Sequence, residues 1–456
     1  MKESLYTFLW IFLTAFIGFN IVVFLDRKKL ITPLEAIGLS FPLGIGVISV
    51  EMFIIGLFRA QLRTGLILTP WLVLIVYNYI FLRPYSKNKL SFKINPLSGP
   101  EKIIFSFLSF EVIYTFFRAL IKPIESYDSV AIHALKSKML YLAGTLPRDF
   151  FTQVANNFHG AHPDYPLLVP MSEAWFYVFV NGFNDFLVKS IFPLCFISFL
   201  IVFYSILKKV LNNRPNALLF TFGLASIAQF NAYATIGAAD LLIGIMFCLS
   251  FLYLYLWMKN CQNRTYLYIS LIFSILTLWA KNEGLLLIAI TLTTLFLFLL
   301  RKGPGGNKEI LIPASGYFLT IIAITLGWLG YGNFLGFVNE NFNFSMISLK
   351  TFSSGLNRIP LILYEYQKHV FGFKKWNIIW IVLLVLLAAR FKKSVKDDAF
   401  YITAVIFMFF IGYSLVYIMS TMDFNFLLTK TSSRFLLHIL PVCIFWIACM
   451  TKENNY

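Results

Sequence analysis

The sequence predicts an all-α integral membrane protein that crosses the bilayer about thirteen times, and three observations predict it. Of the 456 residues, 59% are hydrophobic and 13% charged, where a soluble chain carries about a quarter of its residues as charges. Mean hydropathy is +0.76. Apolar runs close to the roughly 20 residues a helix needs to cross a hydrocarbon core of about 30 Å recur along the whole chain, with short Lys and Arg clusters between them.

On that length rule, spans are expected near 5–25, 34–57, 65–83, 103–121, 188–207, 216–233, 237–258, 265–280, 284–300, 310–335, 376–390, 398–420 and 434–450. The first run, Leu5 to Leu25, is longer than a signal-peptide core and has only Lys2 before it, so it is read as a retained span. Basic residues gather in cytoplasmic loops. Arg27-Lys28-Lys29, the loop from Lys87 to Lys102, Lys208-Lys209 with Arg214, Lys259 with Arg264, Arg301-Lys302 with Lys308, and Arg390 with Lys392, Lys393 and Lys396 then share one side. The alternation requires that the apolar stretch Tyr165 to Val180 does not cross. It is expected to be an interfacial or re-entrant helix with Pro166 in its first turn.

This arrangement leaves two long external segments, 122–187 and 336–375. It also divides the chain into N-terminal helices of unassigned role (1–101), a central module (102–300) and C-terminal helices (301–456). Loops on a rigid scaffold commonly carry binding and chemistry. The GPGG stretch, Gly303 to Gly306, reads as a flexible turn.

The formal net charge of +17 does not indicate a nucleic-acid partner, because the basic residues are dispersed between spans and form no single face. Cys195, Cys248, Cys261, Cys443 and Cys449 show neither CxxC nor metal-ligand spacing. Glu51 and Glu111 fall inside predicted spans and need partners there. No P-loop or dinucleotide motif occurs in a soluble setting, which argues against direct use of a nucleotide.

The polar constellations lie in and around the first external segment. Glu125-Ser126-Tyr127-Asp128 leads into SVAIHALKSKMLYLAG, where Ile132, Leu135, Met139 and Leu142 recur at helical spacing. An amphipathic surface helix is expected there, with Asp128 at its start as an N-cap or a functional carboxylate. Downstream, His159-Gly160-Ala161-His162-Pro163-Asp164-Tyr165-Pro166 holds Asp164 between two prolines. This is either a rigid lead into a helix or a second functional acid.

Asp240, in Gly237-Ala238-Ala239-Asp240, sits between two spans with almost no loop, as a cap or part of a polar cavity. Lys281-Asn282-Glu283-Gly284 interrupts an apolar run. Lys281 and Glu283 either compensate each other in a tight turn, or Lys281 stands at the depth of a lipid phosphate. Near the C-terminus Arg434 and His438 share a helical face at i and i+4. They are snorkelling and packed side chains, or a clamp for a phosphate.

Taken together, these motifs resemble the GT-C superfamily of membrane glycosyltransferases, in particular the protein O-mannosyltransferases and lipid A aminoarabinose transferases. The resemblance runs from Glu125 to Gly284 and, more weakly, over Arg434 to Pro441. It implies a GT-C fold, and a catalytic base at Asp128 in SYDSVAIHALKSKMLY. HPDYP is similar to the proline motif of those enzymes, but Asp164 and Tyr165 stand where they usually have adjacent prolines. Asp240 in GAAD looks like their second acidic position and Lys281 in AKNEG like their basic residue before a glycine.

The implied donor is a polyprenyl-phosphate sugar, with Lys281, Arg434 and His438 toward its phosphate. His162, Asp164 and Asp240 would orient acceptor or metal, with Glu283 and Tyr165 supporting. A divalent cation is a candidate cofactor, and a hydroxyl on a lipid, glycan or protein is the acceptor. The expected place is a cell membrane, with the site on the non-cytoplasmic face.

Two other classes fit many spans and buried charge. A transporter or lipid-linked glycan flippase would favour inverted repeats and broken helices, and no repeat is found. An O-antigen ligase or polymerase would share the lipid-linked donor.

Overall fold

The computed structural model describes residues 2–82, 96–157, 160–302, 308–336, 348–396, 398–420 and 422–452, with the side chains of 155–157 excepted. His159, the GPGG stretch and 337–347 of the second external segment lie outside these residues. Of the described residues 83% are helical, and none lies in a strand. It divides into two compact units. The first is Met1–Ser226, Asn231–Leu242 and Trp279–Lys281; the second is Ile227–Phe230, Ile243–Leu278 and Asn282–Tyr456.

The first unit opens on a helical hairpin, α1 (Lys2–Leu25) and α2 (Pro33–Leu57). The second helix starts where it does because Thr32 and Glu35 form a reciprocal capping box and Pro33 takes the first position, where a missing N–H is harmless. A Cβ on Gly18 would lie 1.8 Å from the Ser40 carbonyl oxygen, and one on Gly44 1.9 Å from that of Thr14. Only glycine allows two backbones this close.

There follow α3 (Thr64–Tyr77), α4 (Gly99–Ile121), and a π-helical turn, Ser129–Ala134, that runs into α5 (Leu135–Ala143). Then come α6 (Phe150–Asn157), α7 (Leu168–Val180), α8 (Ile191–Leu211) and α9 (Arg214–Ala225). The thirteen residues of α7, about 20 Å at 1.5 Å each, are too few to cross a bilayer. It starts two residues after Pro166, not at it. It packs on α1, α2 and α5, and Trp175 Nε1 donates to Thr14 Oγ1 at 3.0 Å.

Glu51 and Glu111 have the partners their depth requires. Trp71 Nε1 donates to Glu51, and Asn231 Nδ2 to Glu111 at 3.3 Å.

The helices α10 (Ala228–Tyr233), α11 (Ala239–Lys259) and α12 (Arg264–Ala280) contribute residues to both units, and α13 (Gly284–Lys302) belongs to the second. The second unit continues with α14 (Lys308–Leu335), α15 (Leu349–Gly355), α16 (Ile359–Val370), α17 (Phe373–Trp376) and α18 (Ile379–Ala389). It ends with α19 (Phe391–Ser394), α20 (Ala399–Met419) and α21 (Phe424–Thr451). Its core is partly polar: Ser250 and Ser274 are hydrogen-bonded at 2.6 Å, and Ser274 to Tyr317. Arg358 donates to the carbonyls of Tyr417, Ile418 and Ser420. That contact satisfies the end of α20, where carbonyls lack helical partners.

Ten of the described helices are long and apolar enough to cross a bilayer, which differs from the expected thirteen in three places. The run 216–233 is broken into α9 and α10 at Ser226, whose hydroxyl donates to the Gly223 carbonyl, a local bond that competes with the helix. The helices at 264–280 and 379–389 form but are short. The last helix also begins ten residues before the expected 434, because Asp423 caps it by accepting the Phe426 N–H at 2.7 Å.

Candidate functional site

In the first unit, three sequence segments that carry acids come together. Ser129 Oγ donates to the Ile236 carbonyl at 3.0 Å, so the contact between Ser126 and Ser129 hydroxyls must have Ser126 as donor. Next to Ile236, Gly237 has φ +84°, and a Cβ there would lie 3.5 Å from Ser129. This left-handed turn, which suits glycine, leads directly into α11 and Asp240. On the other side, Gly160 has φ +89°, and a Cβ on it would lie 3.0 Å from the Tyr127 hydroxyl. SYDS therefore touches both the loop of GAAD and the loop of HPDYP.

Asp128 is half-buried and makes no side-chain capping bond to the helix that follows. The Ser129 N–H is taken by Ser126 Oγ at 3.4 Å. The N-cap reading of Asp128 is thus replaced by a Ser126 cap.

Along the helix after Asp128 the expected apolar stripe is buried at Ile132 but not beyond it. Leu142 and Val130 are exposed, and Leu135 and Met139 only half-buried, whereas Ser129, His133, Lys136 and Ser137 are buried. The physical reason is the π-helical turn. Its hydrogen bonds run from i to i+5, so the 3.6-residue register assumed from sequence slips through it. Such turns concentrate at functional sites.

Lys136 is fully buried on that inner face. Its Nζ donates to the His162 carbonyl at 2.5 Å and lies 6.0 Å from the centre of the Tyr165 ring. Burial pulls its pKa down to about 7, and the Asp164 carboxylate pulls it back toward the charged form. Asp164 is itself buried. His162 has φ +47°, a left-handed conformation uncommon outside glycine. Its carbonyl also accepts the Tyr165 N–H at 3.1 Å, and the two rings stack at 4.9 Å.

Asp240 lies in the first turn of α11, where a negative charge is favoured. Lys281 Nζ donates to its Oδ1 at 3.0 Å, and the two side chains are 1% and 3% exposed.

A second group surrounds the helix α7. Ser137 Oγ donates to Glu173 Oε2 at 2.8 Å, and the Tyr177 hydroxyl to Asp185 at 3.2 Å; Lys138 pairs with Asp185 at 2.7 Å. Complete burial pushes the Glu173 carboxyl up to about 8. Neither Lys136 nor Glu173 is singled out by sequence motif. Glu173 had a signal, as a single carboxylate in an apolar helix; Lys136 had one only in the polar spacing Ser129, His133, Lys136.

Arg434, His438 and Glu283 belong to the second unit. His438 is fully buried, with Nδ1 3.1 Å from the Tyr413 hydroxyl and its backbone 3.2 Å from where a Gly244 Cβ would stand. Arg434 and Glu283 are half-buried. No group of three or more His, Cys, Asp or Glu among the described residues is disposed to hold a metal ion, so the acids at 128, 164 and 240 assemble no such ligand set. All five cysteines are free thiols.

No family model matches the chain, and neither a curated protein nor a solved structure does.

Proposed function

We propose that the protein is a multi-pass membrane glycosyltransferase of GT-C type. In this reading it moves a sugar from a polyprenyl-phosphate donor to a hydroxyl on a lipid, glycan or protein at the non-cytoplasmic face of a cell membrane. The observation that supports this best is the meeting of SYDS with the HPDYP and GAAD loops around Ser129, Tyr127, Gly160 and Gly237. Three acids far apart in sequence then serve one site.

The chemistry is a single displacement. The acceptor oxygen attacks the anomeric carbon as the carbon–oxygen bond to the phosphate breaks, and the configuration inverts. Asp128, half-buried and not engaged in capping, takes the acceptor proton. A carboxylate is too weak a base to ionise an alcohol beforehand, so proton transfer accompanies attack. Asp164, with His162 and Tyr165, orients the acceptor. Charge builds on the departing polyprenyl phosphate, and Lys281 is the candidate group to offset it. Because Lys281 is already bonded to Asp240, this role has the phosphate replace Asp240 as its partner. Glu283 supports the turn after Lys281.

A second reading, a transporter or lipid-linked glycan flippase, draws on one observation, the break between α9 and α10. Broken helices with freed backbone groups line substrate paths in transporters.

Mass spectrometry of polyprenyl lipids and surface glycans, from cells with and without the protein, tests both. A transferase predicts that its loss removes one sugar from a glycan, and that the purified protein releases polyprenyl phosphate from the accumulated lipid. A flippase predicts the accumulation without release by the purified protein. Unchanged glycans and lipids would end the transferase reading.

A further inference from the structure

We propose that Lys136 is a positioning residue of this site, whose buried ammonium fixes the 162–165 turn. The inference rests on the transferase reading for what the turn does, and on geometry alone for what Lys136 does.

Every interaction of the Lys136 head group described above falls on one short turn. It donates to the His162 carbonyl at 2.5 Å, its charge acts with that of Asp164, and it lies over the Tyr165 ring. A lysine with no exposed surface is expensive to bury, and the charge of Asp164 offsets part of that cost. The turn needs such a tie, because His162 holds an unfavourable left-handed conformation that persists only where its surroundings over-determine it. The tie comes from the first turn of α5, which the π-helical turn joins directly to Asp128, so one continuous helical run links the geometry of two acids.

The test uses the full-length protein in native membranes. Ala161, 1% exposed and immediately before the turn, is replaced by cysteine, and its labelling by a soluble maleimide is timed against the same protein without A161C. Labelling should be slow in the Lys136 parent and in K136R, and at least tenfold faster in K136M. Equal rates in the parent and K136M would overturn the tie.

The second arm follows polyprenyl phosphate release against pH. In the parent the rate should fall on the alkaline side as the ammonium is lost. In K136R, with a guanidinium that keeps its proton, that limb should move up by more than one pH unit. An unmoved limb in a folded K136R protein would reduce Lys136 to packing. If the parent releases no polyprenyl phosphate at all, the transferase reading fails, and the labelling arm still decides whether Lys136 holds the turn.

Discussion

Lys281 donates a hydrogen bond to Asp240 across 3.0 Å, and water reaches almost none of either side chain. Removing one member of such a pair leaves an uncompensated buried charge, at a cost of about 3–5 kcal/mol, whereas removing both is far milder. K281M should therefore lower the thermal midpoint of the detergent-solubilised protein sharply, and D240N/K281M should recover much of it. A double variant no more stable than K281M would show that the two charges are not coupled.

Asp128 caps nothing and is half-buried. D128N is expected to insert and unfold like the parent while losing about 10²–10⁴-fold in sugar transfer, the range associated with a general base. Full activity in a properly inserted D128N protein would remove the base from its assigned residue.

Glu173 gives a pH signature of definite sign. Its carboxyl titrates at about 8 in the folded chain and at 4.5 ordinarily, so the folded state holds the proton more tightly. The stability it contributes is complete below about pH 4.5 and is lost as pH rises through about 8. Lys136, lowered to about 7 from 10.5, acts with the opposite sign above pH 7. In melting curves between pH 5 and 7 the midpoint should therefore fall as pH rises, and the share of that slope that E173Q removes is the contribution of Glu173. A parent protein with no slope in that interval would contradict the assignment.

The crossing of α1 and α2 is set by backbone contact at Gly18 and Gly44. G44L should prevent the close approach and lower the yield of folded protein severely, as overpacking of a tight contact does. A conservative G44A should show a smaller loss in the same fluorescence-detected gel filtration. Normal yield from G44L would mean that the hairpin can open without consequence.

Much of the helical framework is legible in sequence because a bilayer demands long apolar runs, and helices 2–25, 33–57, 187–211 and 399–419 follow that demand closely. The break at Ser226 is not legible, since hydropathy is blind to one hydroxyl donating to Gly223. The site is legible in its parts but not in its pairings. Asp240 and Lys281 both stand out as polar interruptions, yet their bond joins residues 41 apart. Glu111 announces a need for a partner, while Asn231, 120 residues away, is supplied by packing alone. The burial of Lys136 was hidden for a different reason. A π-helical turn shifts which residues face inward, and the expected apolar stripe through Leu142 ends exposed.

The bond from Trp175 to Thr14 carries a consequence for biosynthesis. The two residues are 161 apart, and at about 5–20 residues per second a ribosome needs roughly 10–30 s to make the second after the first. For that interval the first hairpin sits in the membrane with the surface for α7 uncovered. Membrane chaperones or early neighbours have that window in which to shield it, and slow translation between the two segments would lengthen the exposure.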